Sequence, residues 1–191
     1  MKISKKKVIS LVSVASLSVL TFASISYATI WAGGRSSGAN FSAYYDSSVA
    51  SYGYTNHYDS ARADWNSASS SVNITKTTST SGNPDKYYVG VSSVAGLLGQ
   101  ISRYTSSGQV VTSLSDDWAY ATVSIYHNNM DAYGEDGMSQ SERISNATHE
   151  VGHTLSMAHP VTSRSSVMKQ GVQSIGVQSY DKESLIEKWG D

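Results

Sequence analysis

The sequence predicts an α+β domain with about five strands, and three observations carry that expectation. Strand-like stretches crowd the middle of the chain, helical spacing of apolar residues lies before and after them, and a capping box at Ser139 opens the longest helix. All three fall within 29–191.

The first 28 residues read as an address. Lys2, Lys5, Lys6 and Lys7 form a positive stretch, 8–22 is mostly apolar, and Ser26 and Ala28 supply small residues where a signal peptidase reads. Serines interrupt the apolar run and it is short for a bilayer span. A signal peptide cleaved after Ala28 is therefore expected, with a secreted product and no stable membrane insertion.

What remains, 29–191, is long enough for one domain with a core and short for two. The 14 basic residues fall to 10 without the four leader lysines, against 15 acidic ones, for a net charge of −5. Such a balance gives no electrostatic hold on nucleic acid. Cysteine is absent, so packing and metal, not disulfides, must stabilise an exported chain, and a metal site must use His, Asp or Glu.

Taken in order, 31–54 is rich in Gly, Ser and Tyr and predicts loop with one strand. Tyr58, Ala61, Trp65 and Ala68 recur at helical spacing, which predicts a helix over 56–69 with Thr55 or Asn56 as N-cap. Strands follow at 72–75 and 87–91, separated by the turn chemistry of Ser81-Gly82-Asn83-Pro84. A third extended stretch covers 97–104. A fourth, 120–126, alternates Ala121, Val123 and Ile125 with Thr122 and Ser124. Beyond an acidic loop at 131–137, Ser139 and Glu142 can satisfy each other's free backbone donors, opening a helix over 140–156. A closing helix over 181–189 places Leu185, Ile186 and Trp189 on one face before Gly190.

Of the five histidines, three lie in the eleven residues His149-Glu-Val-Gly-His153-Thr-Leu-Ser-Met-Ala-His159. Residues four apart on a helix differ by about 40° in direction, so His149 and His153 project from adjacent turns and can share one metal ion. Glu150 is turned about 100° from His149, which suits a general base acting on water better than a ligand. His159 is too far along a straight helix to reach the same ion, so the helix must end near Ser156 and the chain turn back. Three neutral imidazoles leave a tetrahedral Zn2+ site open at its fourth position, the arrangement of a catalytic site.

At these residues the chain resembles the metzincin metallopeptidases, whose signature is H-E-x-x-H-x-x-G-x-x-H followed by a methionine-containing turn. Ser165-Ser166-Val167-Met168 resembles that Met-turn, in which Met168 would form an apolar floor under the metal. The order of elements and the ending Tyr180-Asp181-Lys182-Glu183 through Gly190 look most like a small bacterial matrixin-type catalytic domain. The resemblance spans essentially all of 29–191. It implies a twisted mixed β-sheet, a zinc helix, one catalytic Zn2+ held by His149, His153 and His159, and Glu150 as general base. The activity it implies is a secreted zinc-dependent endopeptidase acting on protein or peptide. A peptide would add antiparallel to an exposed strand edge, for which 96–99 is a candidate and a buried strand end is the plain alternative.

The departures are specific. Ser156 stands where the signature has glycine, so a left-handed turn there costs about 1 kcal/mol or the chain turns another way. Pro160 is more like the serralysin group, yet no glycine-rich calcium repeats follow. Lys169 and Gln170 follow Met168, so no tyrosine ligand is expected. No propeptide cysteine exists to hold the chain latent, which leaves a separate protein inhibitor as the restraint or none. Asp131, Glu135 and Asp136 could offer oxygen to Ca2+ but lack EF-hand spacing, and a solvated loop is the better reading. His57 and His127 have no partner at ligand spacing and read as surface or packing residues. The rival function, an inactive secreted binding domain on the same scaffold, leaves Glu150 without a purpose.

Overall fold

The computed structural model describes residues 29–191; the expected signal peptide, 1–28, lies outside the described residues. The chain is α+β, with a mixed sheet of six strands: β1 (Asn40–Tyr45), β2 (Asn73–Thr77), β3 (Asp85–Gly90), β4 (Gly99–Tyr104), β5 (Val110–Val111) and β6 (Tyr120–Tyr126). Their order is β2-β1-β3-β6-β4-β5. The first four in that order are parallel neighbours, and β4 reverses direction against both β6 and β5. The sixth strand, β5, has two residues, too few to show any period.

Period-2 alternation sets the two sheet faces. Ala121, Val123 and Ile125 of β6 and Tyr87 and Val89 of β3 point into the core. Against that face packs α2 (Thr55–Asn66), whose Tyr58, Ala61 and Trp65 are fully buried, together with α4 (Gln140–Thr154). The two helices are pinned where the Trp65 indole N–H donates to the Thr148 carbonyl at 2.8 Å. Buried Arg35 pairs with buried Asp85 at the start of β3, and Asp85 also accepts the Ala121 N–H, while Arg35 Nε and the second Asp85 oxygen are buried without a hydrogen-bond partner.

Helix ends differ from expectation in instructive ways. The α4 capping box forms as predicted, with the Ser139 backbone N–H donating to Glu142 at 2.7 Å. Neither Thr55 nor Asn56 caps α2; Tyr54 is its N-cap, without a side-chain bond, because its buried ring fixes where the chain enters. The last helix, α5 (Ser179–Trp189), starts two residues early because Gln178 and Asp181 form a box of their own. Its inner face is Tyr180, Ser184 and Leu185, while Ile186 is turned outward at 39% exposure, correcting the expected face. Two helices of five residues, α1 (Ser47–Ser51) and α3 (His127–Asp131), are too short for their periodicity to be read.

Candidate metal centre

The helix α4 ends at Thr154, and Ser156 takes φ +67°, the left-handed conformation that turns the chain back. The turn therefore follows the glycine geometry with a serine in place, and accepts its strain. It brings His159 against His149 and His153. The three Nε2 atoms lie 3.0, 3.1 and 3.1 Å from one another.

These three contacts are not a hydrogen-bonded ring. The His149 Nδ1 lies 2.9 Å from the Val167 carbonyl, and the His153 Nδ1 2.7 Å from that of Met157. A carbonyl only accepts, so both Nδ1 atoms carry the proton and both Nε2 atoms of the neutral rings present lone pairs. Two lone pairs 3.1 Å apart repel. Burial keeps the rings neutral: it lowers His149 to about 4, pushes His153 well below the usual histidine value and lowers His159. The His149, His153 and His159 group can hold a metal ion. Tetrahedral zinc with Zn–N near 2.0–2.1 Å spaces its nitrogens about 3.3 Å apart, close to what the rings offer.

Glu150 is 6% exposed and lies against Gly99, the first residue of β4. A Cβ built on Gly99 would stand 2.5 Å from Glu150 Oε1 and 2.6 Å from its Cγ, so only glycine lets the carboxylate lie there. Desolvation raises Glu150 to about 8. A cation in the triad would act against that shift by favouring the carboxylate.

Beneath the site, Met168 is buried against α4 at Gly152, where a Cβ would come within 2.4 Å of the Met168 sulfur and 2.5 Å of Trp65. The segment carrying it is held by buried Asp181, which accepts from the Ser166 hydroxyl at 2.5 Å and from the Val167 N–H at 3.0 Å. The same carboxylate accepts the Gln178 N–H at 2.8 Å. Met168 thus packs against Gly152, one residue before His153.

The triad and Glu150 open into a cleft of about 530 Å³ with Trp31, Leu98, Asn146 and Val172 among its walls. Trp31 stacks on His153, ring centroids 5.2 Å apart and planes within 7°. Sequence spacing missed Trp31 and Asp181, and gave Gly99 only as the end of the candidate edge 96–99, of which β4 contains Gly99 alone. Asp181 left a trace at the third position of a helix, where carboxylates cap.

The other sequence candidates stay apart from this site. His127 contacts Asp131 at 2.8 Å and Tyr54 at 3.1 Å, and the Tyr54 hydroxyl also accepts from Arg143 at 2.6 Å. His57 packs on the Tyr54 ring. Asp131 is taken by Arg143 and His127, whereas Glu135 and Asp136 are exposed. Among the described residues the triad is the one grouping of three ligand side chains.

No family model matches the chain, and no curated protein matches its sequence. Among solved structures, a chain from the GM1-bound form of the ECX AB5 holotoxin overlays 80% of this chain and 81% of its own, at 13% identity and a TM-score of 0.48.

Proposed function

We propose that the chain is an exported zinc-dependent endopeptidase of the metzincin kind. The observation that carries this reading is the pair of lone-pair nitrogens on His149 and His153 facing each other and His159 at 3.0 to 3.1 Å. The fold holds that repulsion in place with two backbone carbonyls, and a cation is what relieves it. The order of α2, sheet, α4, left-handed turn, Met168 and α5 agrees with a metzincin fold.

Zinc bound by the three imidazoles supplies Lewis acidity, polarising a carbonyl and lowering the pKa of water toward about 7. The remaining chemistry belongs to the chain. Glu150, a turn of about 100° from His149 and closed in by Gly99, takes a proton from the attacking water and delivers it to the leaving amine. Burial favours its protonated form, which suits the second of those steps. The edge of β4 opposite β6 is unpaired from Gly99 to Ser102, since β5 pairs only with Arg103 and Tyr104. An extended substrate can add there antiparallel, beside Glu150.

The test is cleavage of casein by the purified protein with and without a zinc chelator, beside Glu150→Ala with its zinc content measured. Chelator-sensitive cleavage, lost in a variant that keeps one zinc, supports the reading. One bound zinc without cleavage of any unfolded protein points to the binding-domain alternative. A native chain that binds no zinc overturns the proposal.

A further inference from the structure

The segment 29–34 is tied to the metal loop at every second step. The Trp31 N–H donates to the Ser156 carbonyl at 2.8 Å, and the Ala158 N–H donates to the Thr29 carbonyl at 2.9 Å, flanking an antiparallel bridge between Ile30 and Met157. Met157 is the residue whose carbonyl orients His153. On the far side, the Lys188 ammonium in the last turn of α5 donates to the carbonyls of Trp31, Ala32 and Gly33 at 2.9, 3.0 and 3.1 Å. Gly33 and Gly34 anchor the segment to Leu114 and Asp117.

That anchoring fixes the Trp31 indole flat against the His153 ring. Arg103, held by the carbonyls of Thr112 and Ser113, places its guanidinium 4.9 Å from the Trp31 ring, and Trp118 meets the same ring edge-on at 6.1 Å. An imidazole with a hydrogen bond at one edge can still rock about that bond. A flat indole held from three sides removes the rocking.

We propose that Trp31 is a positioning residue for His153, and that 29–34 is a strap whose docking completes the metal site. The proposal rests on the triad being a metal site. Trp31 acts twice: its ring restrains the imidazole face, and its backbone clamps the loop whose carbonyl sets the imidazole edge. Both actions sharpen the position of one Nε2 and favour metal binding over the metal-free rings.

The experiment measures Co2+ affinity by chelator competition and the visible absorption of the Co2+ form, for the native full chain, Trp31→Phe, Trp31→Leu and Trp31→Ala. The melting temperature of each metal-free form is recorded beside them. Leucine fills much of the space without a flat face, so it separates ring stacking from packing. Expected are near-native affinity and spectrum for Trp31→Phe, and affinity about tenfold weaker with an altered spectrum for Trp31→Leu and Trp31→Ala. Should Trp31→Ala fail to fold, the Phe and Leu pair decides. Leucine and phenylalanine variants that bind Co2+ as tightly as the native chain, with the same spectrum, overturn the positioning role and leave the metal site standing. A native chain without Co2+ affinity overturns both.

Discussion

Asp181 and His149 are joined through one residue: the Val167 N–H donates to the Asp181 carboxylate at 3.0 Å, and the His149 Nδ1–H donates to the Val167 carbonyl at 2.9 Å. The third residue of the last helix therefore reaches the first histidine of the triad across 32 positions of sequence. Replacing Asp181 by Asn keeps the size but removes the charge and turns one acceptor into a donor. Zinc affinity of Asp181→Asn is expected to fall about tenfold or more, with a lower melting temperature. Unchanged zinc affinity in a folded variant would disconnect the two residues.

Glu150 sets a pH prediction for the metal-free protein. Its carboxyl holds its proton to about 8 in the folded chain, against an ordinary value of 4.5. Between those values the native state binds a proton that the unfolded state has released, so stability falls as pH rises through the window. Glu150→Gln removes that loss. Its metal-free melting temperature is expected to exceed the native one by about 10 °C or more near pH 9 and to match it below about pH 4.5. Equal melting at both ends would show that Glu150 is not desolvated.

His149 acts with the opposite sign. Lowered to about 4 from 6.5, it makes the unfolded chain the better proton binder between those values, so metal-free stability falls as pH drops through them. Thermal melts of metal-free Glu150→Gln report this limb together with those of His153 and His159, which are lowered in the same direction, and a flat profile from pH 7 to pH 4 would contradict all three.

Gly99 lies where any side chain meets Glu150. Gly99→Ala is expected to cut peptide hydrolysis about a hundredfold or more while zinc content stays at one per chain, because it displaces the base and leaves the triad alone. Full activity in that variant would remove Glu150 from the mechanism.

Ser156 carries both a left-handed backbone and a buried hydroxyl with no partner. Ser156→Gly is expected to stabilise the protein by about 1 kcal/mol, relief of strain and of the unpaired hydroxyl outweighing the added freedom of the unfolded chain. Chemical denaturation measures it, and a loss of stability would mean that the serine packs better than its geometry implies.

Elements with enough residues to show a period were legible: β6 was placed to the residue, and the start of α4 was fixed by Ser139 and Glu142. Spacing also singled out His149 and His153, because helical angles turn spacing into direction, and the structure brings them together with His159 as a group that can hold a metal ion. What stayed hidden depends on distant pairing. Trp31 meets His153, Gly99 meets Glu150 and Asp181 meets Val167, across separations at which local pattern carries no information. The β5 strand and the one-turn helices α1 and α3 were lost for the simpler reason that two or five residues cannot display a repeat.

All three imidazoles come from eleven consecutive residues, so closing the loop between them costs little entropy even in an unfolded chain. The denatured state is therefore a competing chelator for any metal ion the triad holds, and such an ion would raise the melting temperature by less than its affinity for the folded protein alone implies. The margin by which the native chain wins is set by the distant carbonyls and the indole that hold the rings, and it will shrink in any variant that loosens them.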